Sequence, residues 1–179
     1  MIDHPTMRTW LYRLLFLGMA GFVIFVRILP MSIGEGRFPG PDLLLCLTFA
    51  WVMRRPDYVP ALLVAALFLL TDMLFQRPPG LWPAVVLIGV EFLRARDHLS
   101  RDLPFLVEWA MVTAVMAMML LADRLILSIF FIDQVSFGLS VLRLIMTVLT
   151  YPAVVFLSTA ALGVRKITAA EAEILRQRA

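Results

Sequence analysis

The chain has 179 residues, 61% hydrophobic and 16% charged, with a net charge of +3 and a mean hydropathy of +0.90. A soluble domain of this length needs far more polar surface than that, so composition excludes a soluble globular protein and points to an integral membrane protein. Fifteen arginines and one lysine supply the basic charge. They sit at the ends of apolar runs, the pattern of membrane topology, and without the basic-aromatic surface that nucleic acid needs, so no nucleic-acid partner is expected.

Residues 10–29 are apolar enough and long enough for a first transmembrane helix. The run is too long for a cleaved leader and no small-x-small site follows, so it reads as a retained signal anchor. Arg13 and Arg27 fall in its first and last turns, where long side chains snorkel to the interface. The glycine- and proline-rich stretch 30–40 is a loop. Residues 42–53 form a short second run that length alone would make re-entrant.

Charge argues for a crossing instead. If all six apolar runs cross, Arg8, Arg13, Arg54, Arg55, Arg94, Arg96, Arg101, Arg165, Lys166, Arg176 and Arg178 lie inside and only Arg37 and Arg77 outside. A re-entrant second run would put Arg54 and Arg55 outside. The third span is 60–75, ended by Gln76-Arg77-Pro78-Pro79-Gly80. The fourth, 81–93, is again short, with Pro83 tolerated in its first turn. The fifth, 104–131, exceeds the span length and must tilt, kink or protrude. The sixth, 139–163, holds Pro152, which predicts a kink. In the tail 164–179, Thr168-Ala169-Ala170-Glu171 has capping-box spacing and predicts a short helix. The expected fold is therefore an all-α integral membrane domain spanning 1–179. It has six transmembrane helices, two of them short, a cytoplasmic C-terminal helix and both termini in the cytoplasm.

Ionisable residues inside spans are the functional candidates, because hydrocarbon penalises charge. Helical rise sorts them into two layers. The outer layer holds Arg27, Asp42, Asp72, Asp123, Arg124 and Arg143; the inner holds Arg13, Glu91 and Glu108. Between them lie only hydroxyls, Thr48, Thr113, Thr147, Thr150 and Ser158. Ion-coupled carriers place charge near the midplane, so this distribution favours helix-pinning ion pairs or an outer polar pocket. Asp72 is the first acid to consider, its plainer role being a side chain reaching headgroups with help from Arg77.

Little supports catalysis. His4 and His98 fall in polar segments, no ligand spacing for a metal occurs, and no Ser-His-acid set, Walker loop or dinucleotide fingerprint is present. Glu91 and Glu108 are more simply explained by neighbouring arginines than by acid/base work. Cys46, the single cysteine, reads as a packing residue. Met111, Met116, Met118 and Met119 read as packing or bilayer-facing residues. No cofactor or enzymatic activity is expected.

Between residues 41 and 96 the chain carries Pro41-Asp42-Leu43-Leu44-Leu45, then Trp51 through Arg55-Pro56 with Val59-Pro60, then Leu69-Leu70-Thr71-Asp72-Met73-Leu74, and Pro79-Gly80-Leu81. In these pieces it resembles the bacterial rod shape-determining family MreD, over about a third of its length. The resemblance implies a non-enzymatic inner-membrane scaffold of the cell-elongation and peptidoglycan-synthesis machinery. The implied partners are an MreC-like single-span protein, membrane lipid, MreB filaments and the RodA and class B penicillin-binding protein synthases. The family is similar in architecture to substrate-binding subunits of energy-coupling-factor transporters, which keeps a small-molecule or lipid-binding transporter subunit as the alternative.

Overall fold

A ten-residue run that is apolar but for Thr48, with no polar stripe, must be covered on all sides, and that is where α2 (Leu43–Val52) is found in the computed structural model, which describes residues 4–29, 40–96, 104–132 and 134–162. Every side chain from Leu44 to Val52 is buried. At about 1.5 Å per residue the helix is only about 15 Å long, and its neighbours, not lipid, cover it.

Around α2 stand α1 (His4–Ile28), α3 (Ala61–Leu74), α4 (Leu81–Ala95), α5 (Phe105–Ile129) and α6 (Phe137–Leu162), with a 3-10 turn at Pro56–Tyr58. All regular elements among the described residues are helical. The helix α2 packs against α6, α4 and α1, α4 against α3 and α5, and α5 against α6. Helices α2, α4, α5 and α6 thus close a ring, with α1 and α3 on its outside.

The burial periods explain the packing. In α4, Val85, Val86, Gly89, Val90 and Leu93 are buried; in α5, Glu108, Val112, Val115, Met116 and Met119. Both series follow the three-to-four spacing of one helix face. Gly89 lets the helices approach closely: a Cβ there would lie 2.8 Å from Met119 Sδ and 3.3 Å from Phe49 and Val115 atoms. Helix α1 buries only a narrow stripe, Phe16, Ala20 and Ile24, and exposes Leu14, Phe22 and Phe25.

Among the described residues three helices are long and apolar enough to cross a membrane: Met7–Ile28, Phe105–Ile129 and Phe137–Ala160. Their exposed leucine, isoleucine and phenylalanine side chains suit a hydrocarbon environment, as a membrane protein requires. The first helix starts earlier than apolarity alone indicated, at His4, with Pro5 in the first turn where its missing N–H costs nothing. The sixth runs continuously through Pro152. The loop 30–39, His98 and the tail helix beyond 164 lie outside the described residues.

Candidate functional site

Charged side chains gather at the two ends of the bundle. The end called inner above, reached by the start of α1 and the end of α2, is closed. Arg54, just past α2, donates through Nη1 to Glu108 Oε1 at 2.9 Å. Tyr151 of α6 donates its hydroxyl to the same oxygen at 2.9 Å. Arg54 also reaches the Ala50 carbonyl at 3.2 Å. Relative exposures are 7% for Arg54, 1% for Glu108 and 0% for Tyr151, so this buried knot ties α2, α5 and α6 together. A buried charge is tolerated only when paired and hydrogen-bonded, and Glu108 meets both conditions.

The three candidates of the inner layer do not form one cluster. Arg13 donates from Nε and Nη2 to the Asp57 carbonyl at 3.2 and 3.1 Å, tying α1 to the 3-10 turn. Glu91 faces outward and pairs with Arg94 one turn on, at 2.6 Å, while Arg94 also donates to the Val59 carbonyl at 2.7 Å. Only Glu108 is buried. Sequence reading placed Arg54 on the inside, at the end of the second run, and did not single out Tyr151. The clue was there: α2 is too short to carry Arg54 clear of the bundle. Beside the knot, Tyr12 stacks on Tyr58 at 4.6 Å between centroids, and Phe16 and Trp51 extend the aromatic contact.

Next to Glu108 in α5, Trp109 Nε1 donates to the Val148 carbonyl at 3.0 Å. Pro152 has no N–H to offer that carbonyl, four residues back. Trp109 therefore satisfies the acceptor that the proline leaves open, and α6 runs on through it. The midplane hydroxyls are internally occupied: Thr48, Thr113, Thr147 and Thr150 each donate to a carbonyl one turn back. Ser158 Oγ, buried, has no partner among the described residues.

The outer end is open. Asp42 caps α2, accepting from Leu45 N at 3.3 Å, and its backbone N–H donates to Thr147 Oγ1 at 3.0 Å. Its Oδ2 accepts from Arg143 Nη2 at 2.9 Å and lies 3.8 Å from Arg27 Nη1. Three of the six outer candidates, Arg27, Asp42 and Arg143, are thereby one ion-paired group joining α1, α2 and α6.

Asp72, expected in the outer layer, is fully buried and does not take the plainer role of reaching the headgroups: its Oδ2 accepts from Gly80 N at 3.2 Å and Oδ1 is unpartnered among the described residues. The chain folds back over the end of α3: Gln76 adopts φ 52° and Arg77 N–H returns to the Asp72 carbonyl at 3.0 Å. This is the six-to-one closure of a helix C-terminus, and the connection that follows brings Gly80 onto the acid. The end of α5 closes the same way, with Phe131 at φ 52° and Ile132 N–H on the Leu127 carbonyl.

Asp123, Arg124 and Arg143, with Asp42 and Arg77, line a cavity of about 260 Å³ whose remaining wall includes Leu81, Trp82, Met116 and Leu120. Arg124 donates to the Val135 carbonyl and, at 2.9 Å, to Ser140 Oγ. Arg77 and Asp123 are half-buried and make no side-chain hydrogen bond or close ion pair with any described residue. Burial, and after it the like charge of Arg143, hold the loop guanidinium of Arg77 below its ordinary pKa, while Asp42, Asp72 and Asp123 draw it back up.

Among the described residues no group of three His, Cys, Asp or Glu side chains could hold a metal ion. Compared with family models, curated proteins and solved structures, the chain finds no match in any of the three.

Proposed function

We propose that this chain is a six-span, non-enzymatic scaffold subunit of a bacterial inner membrane, of the MreD kind, with both termini in the cytoplasm. In this reading it holds the membrane anchor of an MreC-like single-span partner for the cell-elongation machinery. The observation that carries the proposal is how buried carboxylates are engaged: Glu108 with Arg54 and Tyr151 at one end, and Asp42 with Arg143 and Arg27 at the other, join helices to each other. Groups so tied give a bundle of fixed shape, and fixed shape is what a scaffold supplies.

The same two layers support six crossings in this reading. Asp42 to Arg54 is about 18 Å of helix axis and Glu108 to Asp123 about 22 Å, less than the hydrocarbon thickness of about 30 Å. In this reading the short α2 crosses inside the bundle and the short α3 and α4 cross nearer its surface, where the bilayer is thinned or polar ends snorkel. The residues that carry the family resemblance serve this architecture: Asp42 caps and pins α2, Asp72 and Gly80 close the α3–α4 connection, and Arg55-Pro56 opens the 3-10 turn. Affinity purification of the detergent-solubilised protein from its own membranes tests the reading. Retention of a single-span coiled-coil protein is expected, and its consistent absence overturns the scaffold.

A second reading, a small-molecule or lipid-binding subunit of a transporter, is favoured by one observation, the outer cavity and its two unengaged charges. Native mass spectrometry of the purified protein would then find a bound small molecule.

A further inference from the structure

We infer that the outer cavity binds a zwitterionic amphiphile, its anionic group on Arg77 and its cationic group on Asp123, an inference that rests on the ligand-binding reading above. Most charges around the cavity already have partners. Asp42 takes Arg143, with Arg27 nearby, and Arg124 serves Val135 and Ser140. Arg77 and Asp123 have none among the described residues, and although each senses the other's charge, no ion pair closes between them. A half-buried charge without a partner is desolvated with no return, and a ligand that meets both restores the loss.

The signs select the ligand. A purely anionic group entering beside Arg77 would also face Asp123, and a purely cationic one would face three arginines. A molecule carrying both charges satisfies each. Gln134, Ser140 and Thr147 also line the cavity, but most of the remaining wall is apolar, including Trp82, Leu81, Met116, Leu120 and Leu127, which suits a hydrocarbon body. The volume, about 260 Å³, lies near the lower limit of small-molecule pockets. It admits a headgroup and the first part of a chain; the remainder would lie along the apolar outer surface. An ethanolamine phospholipid and a soluble phosphoethanolamine-like zwitterion share this chemistry.

The test uses the full chain, purified and delipidated in detergent. It is offered dioleoylphosphatidylethanolamine, dioleoylphosphatidylglycerol or soluble phosphoethanolamine and read by native mass spectrometry and thermal shift. Expected is a preference for the ethanolamine lipid of about tenfold, the worth of one charge-assisted hydrogen bond. Asp123→Asn should abolish that preference while glycerol-lipid binding persists, and Arg77→Gln should weaken both lipids. Stabilisation by phosphoethanolamine without lipid adducts also supports zwitterion recognition and assigns a soluble source. If both lipids bind equally and neither substitution matters, zwitterion recognition is overturned; loss of those adducts in Leu120→Trp would then show that the cavity still binds ligand. If no probe binds or stabilises, the inference and the ligand-binding reading fall together. Unfolding temperatures of the ligand-free variants, expected near the parent's, separate lost recognition from lost fold.

Discussion

The two ends of the bundle hold similar residues and use them differently. At the inner end Arg54, Glu108 and Tyr151 meet through one carboxylate oxygen with almost no exposure. At the outer end an Arg–Asp pair of the same 2.9 Å length is one wall of a cavity, with the Arg143 side chain 30% exposed. The difference arises from what surrounds each pair. The inner pair lies within the packed core, where Tyr151 is fully buried against Glu108. The outer pair sits where the α3–α4 and α5–α6 connections diverge, and nothing large fills the gap. The same charge pairing can therefore lock a fold or shape a site, and local packing decides which.

Replacing Glu108 should break the contrast most strongly. Glu108→Ala leaves Arg54 buried and uncompensated and Tyr151 without its acceptor, a loss of about 3–5 kcal/mol, read by chemical or thermal unfolding in detergent. Arg54→Met with Glu108→Leu should recover much of this, since removing both charges also removes their desolvation. A double variant as unstable as Glu108→Ala would show that the knot does more than compensate charge.

Asp42→Asn should cost less, about 1.5 kcal/mol, the low end for a hydrogen bond to a charged group, because Arg143 keeps access to the open side and Asn still caps α2. A loss as large as that of Glu108→Ala would mean that the outer end is as closed as the inner. Glu91→Ala marks the floor of the scale. Its pair with Arg94 is at the surface, the Glu91 side chain being 51% exposed, and the expected change is within about 0.5 kcal/mol.

Much of this was legible in residue order. Apolar runs and their breakers located the helices to within a few residues, since Pro56, Pro60, Pro78, Pro79 and Gly80 cannot sit in helix interiors without cost. The layering of charge followed from helical rise alone. Partners were less legible. Arg54 is 54 residues from Glu108, and Asp42 is 101 from Arg143, separations at which no local pattern constrains a contact. For Asp72, depth along the helix was legible and direction around it was not; its burial, and the contact with Gly80 eight residues on, appear only in the fold. Trp109 and Pro152 were each visible, but not that one satisfies the carbonyl left open by the other.

The sequence by itself determined that this is a helical membrane protein, where its helices break, and that its charges avoid the middle of the spans. These are properties of hydropathy, backbone chemistry and helical rise, all read one segment at a time. Tertiary structure alone decided that α2 is the covered centre of the bundle, that Glu108 and not Glu91 or Arg13 is locked at the inner end, and that Arg77 and Asp123 stand unengaged around an outer cavity. Each depends on which helix faces meet, and that choice is made by packing between segments far apart in the chain.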